Sequence, residues 1–190
     1  MAIELTRDFP SLDRVRLAVF ATGCALHVSA LLLTLAEPTR RDQLQRWLDE
    51  LVELAKSPNG AAAQQLNASI EAAPEAGADD SNVADYYVMR ALSVVSYAAQ
   101  TWTDDNPAQY AQWSADEAVD LMREITFTLG DSAPLLEELE VAAQRDLLAR
   151  MEMWPGVSTV SLLNVAKESP VLALSRAAAR DYAGMRGWPL

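Results

Sequence analysis

Residues 17–35, LAVFATGCALHVSALLLTL, decide how the rest of this 190-residue chain must be read. The run carries no formal charge apart from one that His27 can acquire, and it holds the only histidine and the only cysteine, Cys24, three residues apart. Its length matches both a bilayer span and a core helix. Thr22, Gly23, His27, Ser29 and Thr34 dilute it, and an imidazole in hydrocarbon is costly. The N-terminus, MAIELTRDFPSLDR, is mixed in charge, unlike the basic start of a signal peptide. The expectation is therefore a buried helix, apolar nearly all round, with its centre in the middle of a soluble fold; a membrane-anchored protein is the alternative.

Outward from that stretch the chain reads as helices. Ser11 offers an N-cap after Pro10, Asp13 favours the first turn, and Pro38 ends the helix, giving a central element over 12–36. Thr39, with Asp42 three residues on, opens a second helix on which Leu44, Trp47, Leu48, Leu51, Leu54 and Ala55 recur at helical spacing. Ser57-Pro58-Asn59-Gly60 stops it. A weakly apolar helix over 61–73 and a loop over 74–81 follow. A fourth helix, 83–102, carries Tyr87, Val88, Leu92, Val94, Val95, Ala98, Ala99 and Trp102 on one face. Ser114-Ala-Asp-Glu117 reads as a capping box opening a fifth helix, with Ala118, Leu121, Met122, Ile125 and Leu129 inward and Gly130 as its C-cap. Asp131-Ser132 with Pro134 starts a sixth, bearing Leu135, Leu136, Leu139, Ala143, Leu147 and Met151. Residues 157–168 stay open between helix, strand and loop, and Ser169-Pro170 begins a last helix.

The fold class is thus all-α: a single-domain bundle of six to seven helices, 1–153, with a C-terminal extension, 154–190, that packs on the bundle or on a second subunit. The strong helix formers in the composition agree with this.

Charge and motifs restrict function. The formal net charge is −12. Residues 71–131 hold twelve acids against Arg90 and Arg123, whereas 154–190 are mildly basic. An acidic body repels phosphate backbones, so nucleic acid is not an expected partner, and a basic protein is. A single cysteine excludes an intramolecular disulfide and suits a reducing, cytoplasmic location. No P-loop, dinucleotide fingerprint, GxSxG or HExxH occurs, and no cofactor is expected. Cys24 and His27, one turn apart, have the types of a nucleophile pair, but an apolar setting keeps a thiol protonated and favours a structural reading. Glu50-Leu-Val-Glu53 and Glu117-Ala-Val-Asp120 are similar to the paired carboxylates of all-α nucleotide pyrophosphohydrolases of the MazG and dUTPase type. That resemblance implies Mg²⁺ held by Glu50, Glu53, Glu117 and Asp120. Some sixty residues separate the two motifs, and acids at a helix start are common for dipole reasons.

Further resemblance lies in the order of features: 16–32 (RLAVFATGCALHVSALL), 44–48 (LQRWL), 79–99 (DDSNVADYYVMRALSVVSYAA) and 134–148 (PLLEELEVAAQRDLL), with Glu140, Gln144 and Leu147 in place. Over roughly 12–151 this order resembles the uncharacterised bacterial all-helical domain-of-unknown-function family 416. The first half also resembles putative immunity proteins of bacterial toxin systems. The second resemblance implies a non-enzymatic inhibitor of a basic toxin. The residues expected to meet the partner are Asp79, Asp80, Asp104, Asp105, Tyr110, Trp113, Asp116, Asp120 and Glu124. The basic tail is a candidate for homodimer formation against the acidic body of a second copy.

Overall fold

The computed structural model describes residues 12–130 and 135–190. Over these residues the chain is all-α: α1 (Arg14–Leu35), α2 (Arg41–Lys56), α3 (Gly60–Glu71), α4 (Ala84–Gln100), α5 (Pro107–Leu129), α6 (Leu136–Met153), α7 (Thr159–Lys167) and α8 (Pro170–Arg186), with a 3₁₀ turn at Pro74–Gly77. The region left open in the sequence, 157–168, contains the short helix α7, Thr159–Lys167.

α1 is the axle. It packs against α2, α4, α5, α6, α7 and α8, and every residue from Leu17 to Leu32 is buried. By length and composition α1 could cross a membrane; here 89 % of its most apolar window lies inside the bundle. Its two buried hydroxyls are satisfied within the helix: that of Thr22 donates to the Ala18 carbonyl at 2.7 Å and that of Ser29 to the Leu26 carbonyl at 2.6 Å. At Gly23 an added Cβ would sit 2.6 Å from Leu147 Cδ2, so the glycine admits α6 to the axle. Asp13 caps α1 by accepting from the Arg16 backbone N–H at 2.9 Å; Ser11 lies outside the described residues. At the other end the Arg41 guanidinium donates to the carbonyls of Thr34 and Ala36, a cation on the negative end of the helix dipole.

The apolar stripes of α2 and α4 are buried as the spacing predicts. Three local expectations give way. Arg40, not Thr39, occupies the N-cap of α2, with no side-chain cap; its guanidinium instead takes Glu75 in two bonds of 2.8 and 3.0 Å. This pulls the 3₁₀ turn onto the bundle inside what reads as loop. Burial alone would raise the Glu75 carboxyl, but Arg40 and a backbone hydrogen bond outweigh it and hold it below the ordinary carboxylate value.

The fifth helix begins at Asn106-Pro107, a side-chain cap followed by proline at the first position, two full turns before the expected capping box. Ser114 is consequently mid-helix and fully buried, its hydroxyl 3.3 Å from the carbonyls of both Ala21 and Val94. α6 is also rotated from its expected register. Leu135 is 52 % exposed and Leu139 and Ala143 are half-buried, while Leu136, Glu140, Gln144, Leu147, Leu148 and Met151 face in. The expected start at Asp131-Ser132-Pro134 lies outside the described residues.

Residues 154–190 join the same core: α7 packs on α1, α2 and α6, and α8 on α1, α5 and α6. Val171, Ala178, Ala179, Tyr182 and Ala183 supply the buried face of α8. Trp188 folds back onto Tyr87 and Tyr182, its indole N–H donating to the Asn82 carbonyl at 3.2 Å.

Candidate protein interface

Cys24 and the paired carboxylates can be placed first, because geometry takes them out of consideration. Cys24 is fully buried, and burial, followed by the charge of Glu140, pushes its thiol well above the ordinary value. Such a thiol is not a nucleophile. Glu50 and Glu53 line a groove between α2 and α3, where Glu53 pairs with Lys56. Glu117 and Asp120 belong to α5, which packs on α1, α4, α6 and α8. Glu117 is bound by Arg90, and Asp120 by Arg123. The two motifs do not converge, and among the described residues no group of three or more His, Cys, Asp or Glu is arranged to hold a metal ion.

The expected partner-binding residues fall into two groups set by helix geometry. The expected acidic loops reduce to the connections 78–83 and 101–106, which flank α4, and its 17 residues hold them about 25 Å apart. They form no single patch. Asp80 accepts from the backbone and side-chain nitrogens of Asn82 at 2.9 and 2.8 Å, and Asp104 accepts from the Asn106 backbone N–H at 2.9 Å. Both are turn-forming residues of the kind that precede helices. Asp79 and Asp105 are exposed beside them.

α4 and α5 run antiparallel, and the polar residues between them are tied down. Arg90 Nε reaches Glu117 at 2.5 Å and Nη1 reaches Glu124 at 2.6 Å. The other oxygen of Glu124 accepts from the Tyr87 hydroxyl at 3.1 Å. Tyr87 and Tyr182 share a hydrogen bond of 2.6 Å, and Arg186 donates to the Tyr182 hydroxyl at 3.0 Å. Burial, then the Tyr182 hydroxyl and Glu124, push Tyr87 far above the ordinary tyrosine value. Glu124, expected at the interface, is therefore a strut between helices.

What remains exposed is the outer face of α5, where Arg123 pairs with Asp120 and with Glu137 of α6. Trp113, Asp116, Asp120, Arg123 and Phe127 fall within an arc of about 80° on the helix, and all five are exposed. Phe127 is 86 % exposed and Trp113 40 %. Fourteen residues separate these two aromatics, about 21 Å along the axis, with carboxylates between them. Trp113 is braced from both helices: its ring lies 5.6 Å from that of Tyr97 on α4 and 5.0 Å from that of Tyr110 on α5 itself, the latter in an edge-on contact. Burial and the neighbouring Asp104 raise the Tyr110 hydroxyl. Asp116 accepts from Gln112 at 2.7 Å, yet burial and Asp120 leave its carboxyl above the usual range. Phe127 borders a shallow cleft lined by Arg90, Asp120, Arg123 and Glu124.

Neither Phe127 nor Tyr97 stood out in the sequence. Phe127 is an aromatic two residues after the inward Ile125, on the opposite side of the helix; that phase was the available signal. Tyr97 could not be tied to Trp113 without knowing that α4 and α5 lie side by side.

The fold defines a single-domain, all-α bundle around a buried axle. Comparisons with protein-family models, curated proteins and solved structures found no match.

Proposed function

We propose that the protein is a binding module that engages a basic protein partner through the outer face of α5, acting in the cytoplasm as an immunity-type inhibitor. The observation that carries this reading is the pairing of a braced Trp113 and a nearly bare Phe127 at the two ends of an acidic helix face. A large aromatic ring left in water forgoes burial worth about 2 kcal/mol. Two on one stripe form the anchors by which a helix face is gripped. Asp116 and Asp120 between them, on a body of net charge −12, supply the field that steers a cation-rich surface.

Capture from the native cell, compared between the wild-type chain and an Asp116→Lys/Asp120→Lys variant, tests the reading. The expected result is a basic protein retained by the wild type, lost from the variant and released by salt. Retention by both, or capture only of acidic proteins, would remove the proposal. Charge reversal at Asp104 and Asp105, which are further from the stripe, is expected to weaken capture less.

A further inference from the structure

Two places away from the α5 face hold polar groups that the bundle does not satisfy. In the core, His27 Nδ1 on α1 lies 2.9 Å from Glu140 Oε2 on α6, and Gln144 Nε2 donates to Glu140 Oε1 at 2.8 Å and to the Ala115 carbonyl at 3.1 Å. All three residues are buried, yet His27 Nδ1, Glu140 Oε2 and Gln144 Oε1 lack directed hydrogen bonds. That cluster joins two helices. The other place is open to solvent and is built from cations.

Arg41, Arg176 and Arg180 line one cleft of about 310 Å³, together with Leu33, Thr34 and Leu190. Arg176 and Arg180 lie one turn apart on the exposed side of α8, and Arg41 is the first residue of α2. Like charges at that spacing on a helix repel, and a third guanidinium in the same cleft adds to the repulsion. No aspartate or glutamate lines the cleft, and none of the three arginines forms an ion pair among the described residues. The terminal carboxylate at Leu190 pairs with none of them either. Acids are not scarce: the chain has 27 Asp and Glu against 15 Lys and Arg, and Arg40, Arg90, Arg123 and Arg150 each hold a carboxylate.

Arg41 is fixed in place without being neutralised. Its Nε donates to the Ala36 carbonyl at 3.1 Å and its Nη2 to that of Thr34 at 3.3 Å. The partial charge at the end of α1 offsets only part of the guanidinium, and Nη1 keeps both of its protons free. Arg176 and Arg180 donate to no group among the described residues, and the Thr34 hydroxyl makes no hydrogen bond there.

From this arrangement we infer that the cleft binds the phosphoryl group of a small phosphomonoester. Such a group carries about −1.5 to −2 charges at neutral pH and has three strong acceptor oxygens. Guanidinium forks match those oxygens, and three forks can each take one. A carboxylate has two oxygens and one charge, so it fills fewer donors and leaves more of the repulsion standing. A nucleic acid or an anionic bilayer would bring many further negative charges against a body of net charge −12, so the ligand is small and soluble. Leu33 and Leu190 give its organic part an apolar edge. The cleft shares no residue with the α5 face, and the inference is independent of the partner proposed there.

The test follows the arginine Nε–Hε resonances of the ¹⁵N-labelled full chain at neutral pH. n-Butyl phosphate, inorganic phosphate and butyrate are titrated in turn at constant ionic strength. The expected result is a saturable shift of the Arg41, Arg176 and Arg180 signals with n-butyl phosphate, at roughly tenfold lower concentration than with butyrate. Arg176→Gln/Arg180→Gln, both at exposed positions, should raise the concentration needed by roughly tenfold or more with helicity unchanged. Arg46→Gln/Arg145→Gln removes the same charge from exposed positions outside the cleft and should leave the titration as it was. No saturation, an equal response to butyrate, or equal losses in the two double variants would each overturn the assignment. Inorganic phosphate saturating at lower concentration than the ester would overturn the choice of an ester. Flotation of the chain with phosphatidic-acid vesicles would give the arginines to a lipid headgroup instead. A dimer that Arg176→Gln/Arg180→Gln dissociates would give them to a second copy, and either result overturns the inference.

Discussion

The core around His27 and the outer face of α5 are opposites that break the same rule. One places a carboxylate, an imidazole and an amide where the bundle should be apolar; the other leaves two aromatic rings where it should be polar. Both are local departures in a chain whose remaining helices obey the pattern. Departures of this kind are where a functional constraint overrides stability. They differ in what they cost: the inner one strains the folded state itself, whereas the outer one costs little until a partner is considered.

The sharpest way to break this comparison is to remove the inner cluster in stages. His27→Leu alone leaves Glu140 buried without its imidazole and should destabilise the protein by about 3 kcal/mol or more. His27→Leu combined with Glu140→Leu removes both polar side chains and should return stability to within about 1 kcal/mol of wild type, or above it. Urea unfolding of both variants decides the matter. A double variant as unstable as the single one would show that the cluster supports the fold.

The tyrosine pair joining α4 to α8 is a satisfied network and should behave as an ordinary one. Tyr182→Phe removes the 2.6 Å bond to Tyr87, which keeps Glu124, and should cost about 1 kcal/mol in the same assay. A loss comparable to that of His27→Leu would erase the contrast between satisfied and unsatisfied polar groups.

Glu75 provides a pH-dependent counterpart. Its folded carboxyl titrates below the ordinary value. Its contribution is therefore fully present above the unfolded carboxyl pKa, about 4.3, and is lost as pH falls through the lower folded value. Glu75→Gln should flatten that part of the acid limb of the stability–pH curve. An unchanged limb would contradict the role given to the Arg40 pair.

Phe127→Ser should give the smallest stability change of all, within about 0.5 kcal/mol, because the ring touches so little. On the proposed reading its effect falls on partner binding. A loss of stability beyond about 1 kcal/mol would mean that the ring is part of the fold and not an anchor.

Why some of this was legible and some was not follows from what each feature depends on. The buried faces of α2 and α4 rest on period alone, and period is written in the chain. The start of α5 depended on two competing signals, and proline at the first helical position prevailed over the capping box at Ser114. The polar stripe of α6 was present as spacing: Glu140 and Gln144 fall four and eight residues after the inward Leu136. Reading them as inward required accepting buried polar groups against the usual preference. The separation of the two acidic loops is the length of α4, which no count of charges contains. Glu124 looks free in sequence and is bound by Arg90 and Tyr87 only because α4 and α5 run antiparallel.

The reading of the outer face is tested most directly by contact at its barest point. A photo-crosslinking residue placed at Phe127, and separately at the exposed Trp154 that ends α6, can be activated in the native cell. The account predicts one basic protein joined at position 127 and no matching adduct at position 154. No adduct at 127, or the same adducts at both positions, would contradict it.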